Sequence, residues 1–283
     1  MTSTSASPLL ANEEYVEQAF LYKTLAERLD NGEPIQDLLI QIREEILATT
    51  KLPMAIDFIH AELNHSGFMS SAMRKLPHYF NAFQTYLVGE AERDTGRFDL
   101  KTALAILEKD ATGKAEGRSL AATFFFQFET LCRSRLQYDY GLSAIAYDPV
   151  FDDRWRDWIL DMRRKIGTVT LADLVYIHSE HYAVQQSRQG LDNFEVAEPI
   201  LFGDKEGKVA LANRRKEELY FFSALQRQLK YPPVPRIKKV ETATEMVPRL
   251  VRQLERLEVR VKLLEDEQRE KGIDLSRFYE KPQ

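Results

Sequence analysis

Residues 120–136, LAATFFFQFETLCRSRL, are the most apolar helix-length stretch of the chain and constrain its fold more than any other. With helical spacing, Leu120, Phe124, Phe128 and Leu131 share one face, and Ala121, Phe125, Cys132 and Leu136 widen it to about half the cylinder. A helix apolar over so wide an arc needs other helices laid against it, so it is expected at the centre of a multi-helix domain. Arg135 follows Leu131 by four residues and Phe128 by seven, which places it on the apolar face. A guanidinium there needs a carboxylate, backbone carbonyls or a bound anion, so Arg135 is the candidate ligand- or anion-binding residue.

Helical periodicity runs through the flanking sequence. Asn12 reads as an N-cap, and Tyr15, Ala19, Tyr22, Ala26 and Leu29 follow in phase until Asn31-Gly32 stops the helix. Ile35, Leu38, Leu39, Ile42 and Ile46 form a second stripe after Pro34. Pro53 opens a third helix with Ile56, Ile59 and Leu63 inward, closed by Gly67. Phe80, Phe83 and Leu87 align in the next helix. Phe98-Asp99 then reads as a staple and cap for Leu100, Leu104, Leu107 and Ala111, with TGKAEG as the loop that follows. Beyond a short LSAIA helix, DDRWRDWILDMRRKIG buries Trp155, Trp158, Ile159, Met162 and Ile166, with acids early and bases late, as the helix dipole favours. Residues 171–186 read as one more helix.

The last third is less regular. Residues 188–200 read as an irregular connection, PILFGDKEGKVAL as a small hairpin, and the stretch holding Leu219, Phe222, Leu225 and Leu229 as a helix. YPPVPRIKKVETAT carries three prolines and reads as a semi-extended linker. After it, Val247, Leu250, Leu254, Leu257, Val261 and Leu264 alternate steps of three and four, a heptad seam for oligomerisation. The expected layout is a tail over 1–11, a helical domain over 12–187, a connection and helix over 188–230, a proline-rich linker over 231–246, a coiled coil over 247–270 and a tail over 271–283. The fold class is all-α: a bundle-like domain with a short helical extension, a proline-rich linker and a C-terminal coiled coil.

Composition excludes several function classes. A net charge of −5 gives no general attraction for nucleic acid, although short basic runs at 163–165, 214–216 and 236–239 leave a local patch open. One cysteine, Cys132, cannot form an internal disulfide or a cysteine-based zinc cluster, which fits a cytoplasmic location. No apolar run approaches the roughly 18 residues of a membrane span, and the first residues carry no secretory pattern.

Candidate chemistry is sparse. His178 and His181 lie one turn apart, and a carboxylate such as Glu62 arriving from another helix would complete a divalent-metal set. The plainer alternative is two hydrogen-bonded imidazoles packed between helices. His60 and His65 are five apart and diverge. Gly203 to Lys208 falls one residue short of a phosphate loop and lacks its Ser/Thr, and no nucleophile elbow or dinucleotide fingerprint occurs. No cofactor is called for. The sequence therefore reads as a helical scaffold or adaptor that self-associates as a homodimer, or binds a protein partner, through its coiled coil. The alternative is an enzyme or ligand-binding protein with a pocket built from Arg135, His178, His181 and Glu62.

Overall fold

In the computed structural model, residues 9–29, 33–93, 98–188 and 199–236 are described. Among them are thirteen helices and no strand: α1 (Asn12–Arg28), α2 (Ile35–Glu45), α3 (Leu52–Ser66), α4 (Met69–Lys75), α5 (Ala82–Ala91), α6 (Leu100–Ala115), α7 (Leu120–Ser134), α8 (Tyr138–Ala146), α9 (Asp153–Lys165), α10 (Leu171–Ile177), α11 (Glu180–Arg188), α12 (Asp204–Asn213) and α13 (Glu218–Leu229). The all-α class is confirmed. The heptad positions Val247, Leu250, Leu254, Leu257, Val261 and Leu264 lie outside the described residues, as does the rest of the chain beyond 236.

Side-chain caps mark five of the helix starts. Asp99, Ser119, Asp152 and Thr170 each accept a backbone N–H from the first turn of α6, α7, α9 and α10, respectively. Asn81 and Gln84 form a reciprocal capping box on α5. Gly67, at φ 76°, closes α3 in the left-handed region that costs glycine nothing.

Packing then orders the helices. α1 lies along α6, α8 along α9, and α10 against α12. Ten consecutive residues of α7, Ala122 to Leu131, are buried, so this helix is surrounded on all sides. Its aromatic rings hold the later part of the chain: Phe124 meets Trp158 with centroids 5.1 Å apart, and Phe125 meets Phe202 at 5.6 Å. Trp155 closes the cluster against Phe202 at 5.3 Å.

Four local expectations are corrected. TGKAEG is not a loop up to its final Glu-Gly: α6 continues through Thr112, Gly113, Lys114 and Ala115. The stretch read as a hairpin is α12, preceded by an extended turn in which Phe202 pairs with Ser179 as an isolated bridge. Helix 171–186 breaks at His178 and Ser179, because residues 178–180 exchange backbone hydrogen bonds with Leu201 and Phe202 instead of continuing the helical ladder. Residues 231–236 are not a free linker. Tyr231 and Val234 are buried, the Tyr231 hydroxyl donates to Glu129 Oε2 at 2.8 Å, and the Lys109 ammonium donates to Pro233 O at 3.0 Å. Among the described residues, α12, α13 and residues 231–236 belong to the same compact unit as the preceding helices. On α13 the buried stripe is Phe221, Phe222 and Leu225, while Leu219 is half exposed.

Candidate functional site

Arg135 does not enter the core. It caps α7 in the left-handed conformation, φ 53°, and is exposed. Leu136 N donates to Leu131 O and Arg135 N to Cys132 O, the paired bonds of a Schellman turn, so the chain swings out one residue before helical phase would carry the side chain inward. The expectation of a guanidinium inside the apolar face is therefore corrected. Burial pushes the Cys132 thiol up to about 12, which leaves it a poor nucleophile.

His178, His181 and Glu62 are not brought together. Among the described residues no group of three or more His, Cys, Asp or Glu side chains is arranged to hold a metal ion. His178 is buried, with Nδ1 3.0 Å from Pro199 O. Burial lowers its pKa, so it packs as a neutral imidazole with its ring edge toward Trp158. His181 lies past the helix break, and its Nδ1 is 2.8 Å from Asp204 Oδ1. Asp204 also pairs with Lys208, and these two partners hold its carboxyl below the usual range. Glu62 pairs with Lys75 at 2.5 Å. Each imidazole thus has a hydrogen-bond partner from the protein, Pro199 O for His178 and Asp204 for His181.

The strongest electrostatic feature is one the sequence reading passed over. The Lys114 ammonium, its side chain 2% exposed, lies 2.8 Å from Asp110 Oδ2 and 2.6 Å from Asp148 Oδ2, both fully buried. Burial by itself would lower the Lys114 pKa, but the two carboxylates outweigh it and hold the ammonium above its ordinary value. Gln127 Nε2 donates to both aspartates, at 3.1 and 2.8 Å, and Asn81 Nδ2 donates to Asp148 Oδ2 at 3.2 Å. From Asn81 the network continues through Gln84 and Gln18 to Tyr79, whose hydroxyl donates to Glu14 Oε2 at 2.8 Å. A signal existed in the sequence. Asp110 and Lys114 follow Leu107 by three and seven residues and so occupy its face. The ion cluster itself is closed to solvent, so its chemistry is that of a structural charge balance.

The network reaches the surface beside α3. Glu14 accepts the Lys51 backbone N–H at 2.8 Å through one carboxylate oxygen and the Tyr79 hydroxyl through the other, which ties the start of α3 to the turn between α4 and α5. Between these two walls lies a groove of about 410 Å³, lined by Lys51, Met54, Phe58, Leu76, His78 and Tyr79 together with Ala55. Its lining is mostly apolar. Met54 is 75% exposed and Phe58, one turn further along α3, is 38% exposed. Those two residues leave one face of α3 unpartnered among the described residues. Sequence periodicity could have found them, because each lies two residues from the inward Ile56 and so falls on the opposite side of α3.

A second, more polar cleft of about 550 Å³ lies where the end of α6, the start of α7 and the end of α13 meet. Lys109, Arg118 and Lys230 line it, offset by Glu108 and Glu116. Arg118 is committed to the fold: its Nη2 donates to Lys109 O at 2.8 Å and its guanidinium lies over the Phe126 ring. Comparison of the chain with protein-family models, with curated proteins and with solved structures finds no match.

Proposed function

We propose that this chain is a helical adaptor that binds another protein through the apolar groove beside α3 and self-associates through the heptad positions of its C-terminal tail. The observation that carries this reading is the groove. It is preformed, its walls are pinned by the Glu14 carboxylate, and it presents Met54 and Phe58 to solvent, where an unpartnered Met-Phe face is a common feature of protein-binding surfaces. Two polar side chains that would attract attention as reactive groups are spent on structure, Lys114 on two aspartates and His178 on a carbonyl, while Arg135 caps α7 through its backbone and is exposed. The tail supports the second half of the reading through sequence alone, by the a/d spacing of Val247, Leu250, Leu254, Leu257, Val261 and Leu264. A cytoplasmic setting fits the single thiol. No helix among the described residues is long and apolar enough to cross a membrane.

A photo-crosslinker placed at Met54 in the host cell tests the groove. The expected result is a discrete adduct with one protein, which, once purified, binds the wild-type chain and loses that binding when Phe58 is changed to Asp. A purified adduct partner that binds both forms equally sinks the groove as the binding surface. Light scattering of the intact chain at micromolar concentration tests the tail. A dimer that dissociates when Leu254 and Leu257 are made polar is expected, and a monomeric wild type ends the self-association.

A further inference from the structure

We infer that the groove beside α3 takes one face of an amphipathic partner helix whose flanks are acidic. The inference rests on reading that groove as a binding surface and adds the chemistry of what enters it.

The case for a helix comes from the walls. The described residues contain no strand, so no sheet edge is available for an extended peptide to join. The groove's regular wall is α3, on which Met54 and Phe58 stand one turn apart and form a ridge with the pitch of a helix surface. A partner helix presenting apolar residues at i, i+3 or i+4, and i+7 can lay that ridge into its own groove and send a side chain down toward Leu76 and Tyr79. The floor does not have to rearrange, because Lys51 N and Tyr79 Oη are already fixed on the two oxygens of Glu14. A preformed cavity of this kind keeps the ordering cost of binding low.

The case for acidic flanks comes from the rim. The chain as a whole carries a net charge of −5, yet no Asp or Glu lines this groove, and Lys51 does. The nearby carboxylates are each taken. Glu14 is buried under its two hydrogen bonds, Asp57 pairs with Arg43 at 2.5 Å, and Glu62 pairs with Lys75 at 2.5 Å. Lys51 is exposed and has no such ion pair among the described residues, and His78 stands on the opposite wall. An apolar slot with an unneutralised ammonium on its lip and no carboxylate in its lining selects an acidic partner and disfavours a basic one, most strongly at low salt.

Two displayed libraries of helix-favouring sixteen-residue peptides, with the same randomised apolar positions and either Glu/Asp or Lys/Arg flanks, are the probe. Selected peptides are labelled and titrated by fluorescence anisotropy against the full chain, against Met54→Arg, which puts a long charged side chain on the ridge, and against Lys51→Glu, which keeps the backbone N–H that Glu14 needs. Thermal melts establish that both variants fold. The expected result is that the acidic library yields binders, that Met54→Arg weakens them by about tenfold or more, and that Lys51→Glu weakens them by about three- to tenfold, less at high salt. Basic-flanked binders of equal affinity that also need Met54 overturn the acidic partner and leave the groove standing. If neither library yields a binder that Met54→Arg weakens, the groove is not the binding surface and both readings fall.

Discussion

Lys114 on α6 places its ammonium 2.6 Å from the carboxylate of Asp148, 34 residues further along the chain, with both side chains almost wholly out of solvent. Asp110 shares the same ammonium, so two buried carboxylates depend on one cation. The two possible breaks are therefore unequal. Lys114→Met leaves two carboxylates facing each other without a counter-charge, and about 3–5 kcal/mol of stability is expected to be lost. Asp148→Asn leaves a neutral Asp110–Lys114 pair and keeps an acceptor in place, so the loss is closer to about 1–3 kcal/mol. Urea unfolding at pH 7 checks the order. Equal losses would mean that packing rather than charge balance governs this site.

What could be read in the sequence followed the strength of local signals. Long apolar stripes with side-chain caps, as in α7, α9 and the start of α6, identified themselves because propensity, periodicity and capping agree there. The end of α6 did not, because Thr112-Gly113 has poor helix propensity and the reasons it stays helical are tertiary. Lys114 is held by Asp148, and Gly113 leaves room for Arg118, whose guanidinium carbon would lie 1.9 Å from a Cβ at that position. Arg135 went astray through a single residue of phase: its helical position pointed inward, but the Schellman turn removed it from the helix. The prolines at 232, 233 and 235 read as a linker because they break local structure. Whether such a segment is free or docked depends on long-range contacts such as Tyr231 with Glu129, 102 residues apart, which no local window contains. The groove was hidden for a related reason. Its chemistry arises from a juxtaposition of α3 and the turn after α4 that Glu14 of α1 enforces.

Two helical glycines should respond oppositely to the same change. Gly207 of α12 sits against the break between α10 and α11, where an added Cβ would lie 2.3 Å from Ser179 Oγ and 2.6 Å from His181 Cβ. Ser179 has no room to yield, since its hydroxyl donates to Tyr176 O and accepts from Tyr182 N. Gly207→Ala is expected to push α12 away and cost about 1–3 kcal/mol, more than alanine's helix propensity returns. Gly89 of α5 has nothing nearer than Ser70 Cβ at 3.6 Å, an ordinary contact. Gly89→Ala should therefore stabilise by about 0.5–1 kcal/mol. Thermal melts of the two variants decide it, and a stabilised Gly207→Ala would mean that α12 does not pack as closely as this.

The acid limb of stability should carry a contribution from His178. Its ring lies between α9 and the 199–202 turn, with Nδ1 donating to Pro199 O. Burial lowers its pKa first, Lys165 lowers it further, and the Pro199 hydrogen bond and Asp161 oppose them without reversing the direction. The unfolded chain returns the imidazole to an ordinary value of about 6.5. The folded state thus favours the neutral ring, and its contribution is whole above pH of about 6.5 and is lost as pH falls through the lower folded value. His178→Asn keeps an N–H able to reach Pro199 O but cannot titrate, and the carboxylates that also titrate in acid are common to both proteins. The difference in unfolding free energy between wild type and His178→Asn should accordingly stay constant from pH 8 to about 7 and narrow as pH falls below about 6.5. Denaturant titrations across that range measure it. A difference that stays flat down to pH 5 would place this imidazole in contact with water, and the packing of α10 against α9 through it would have to be redrawn.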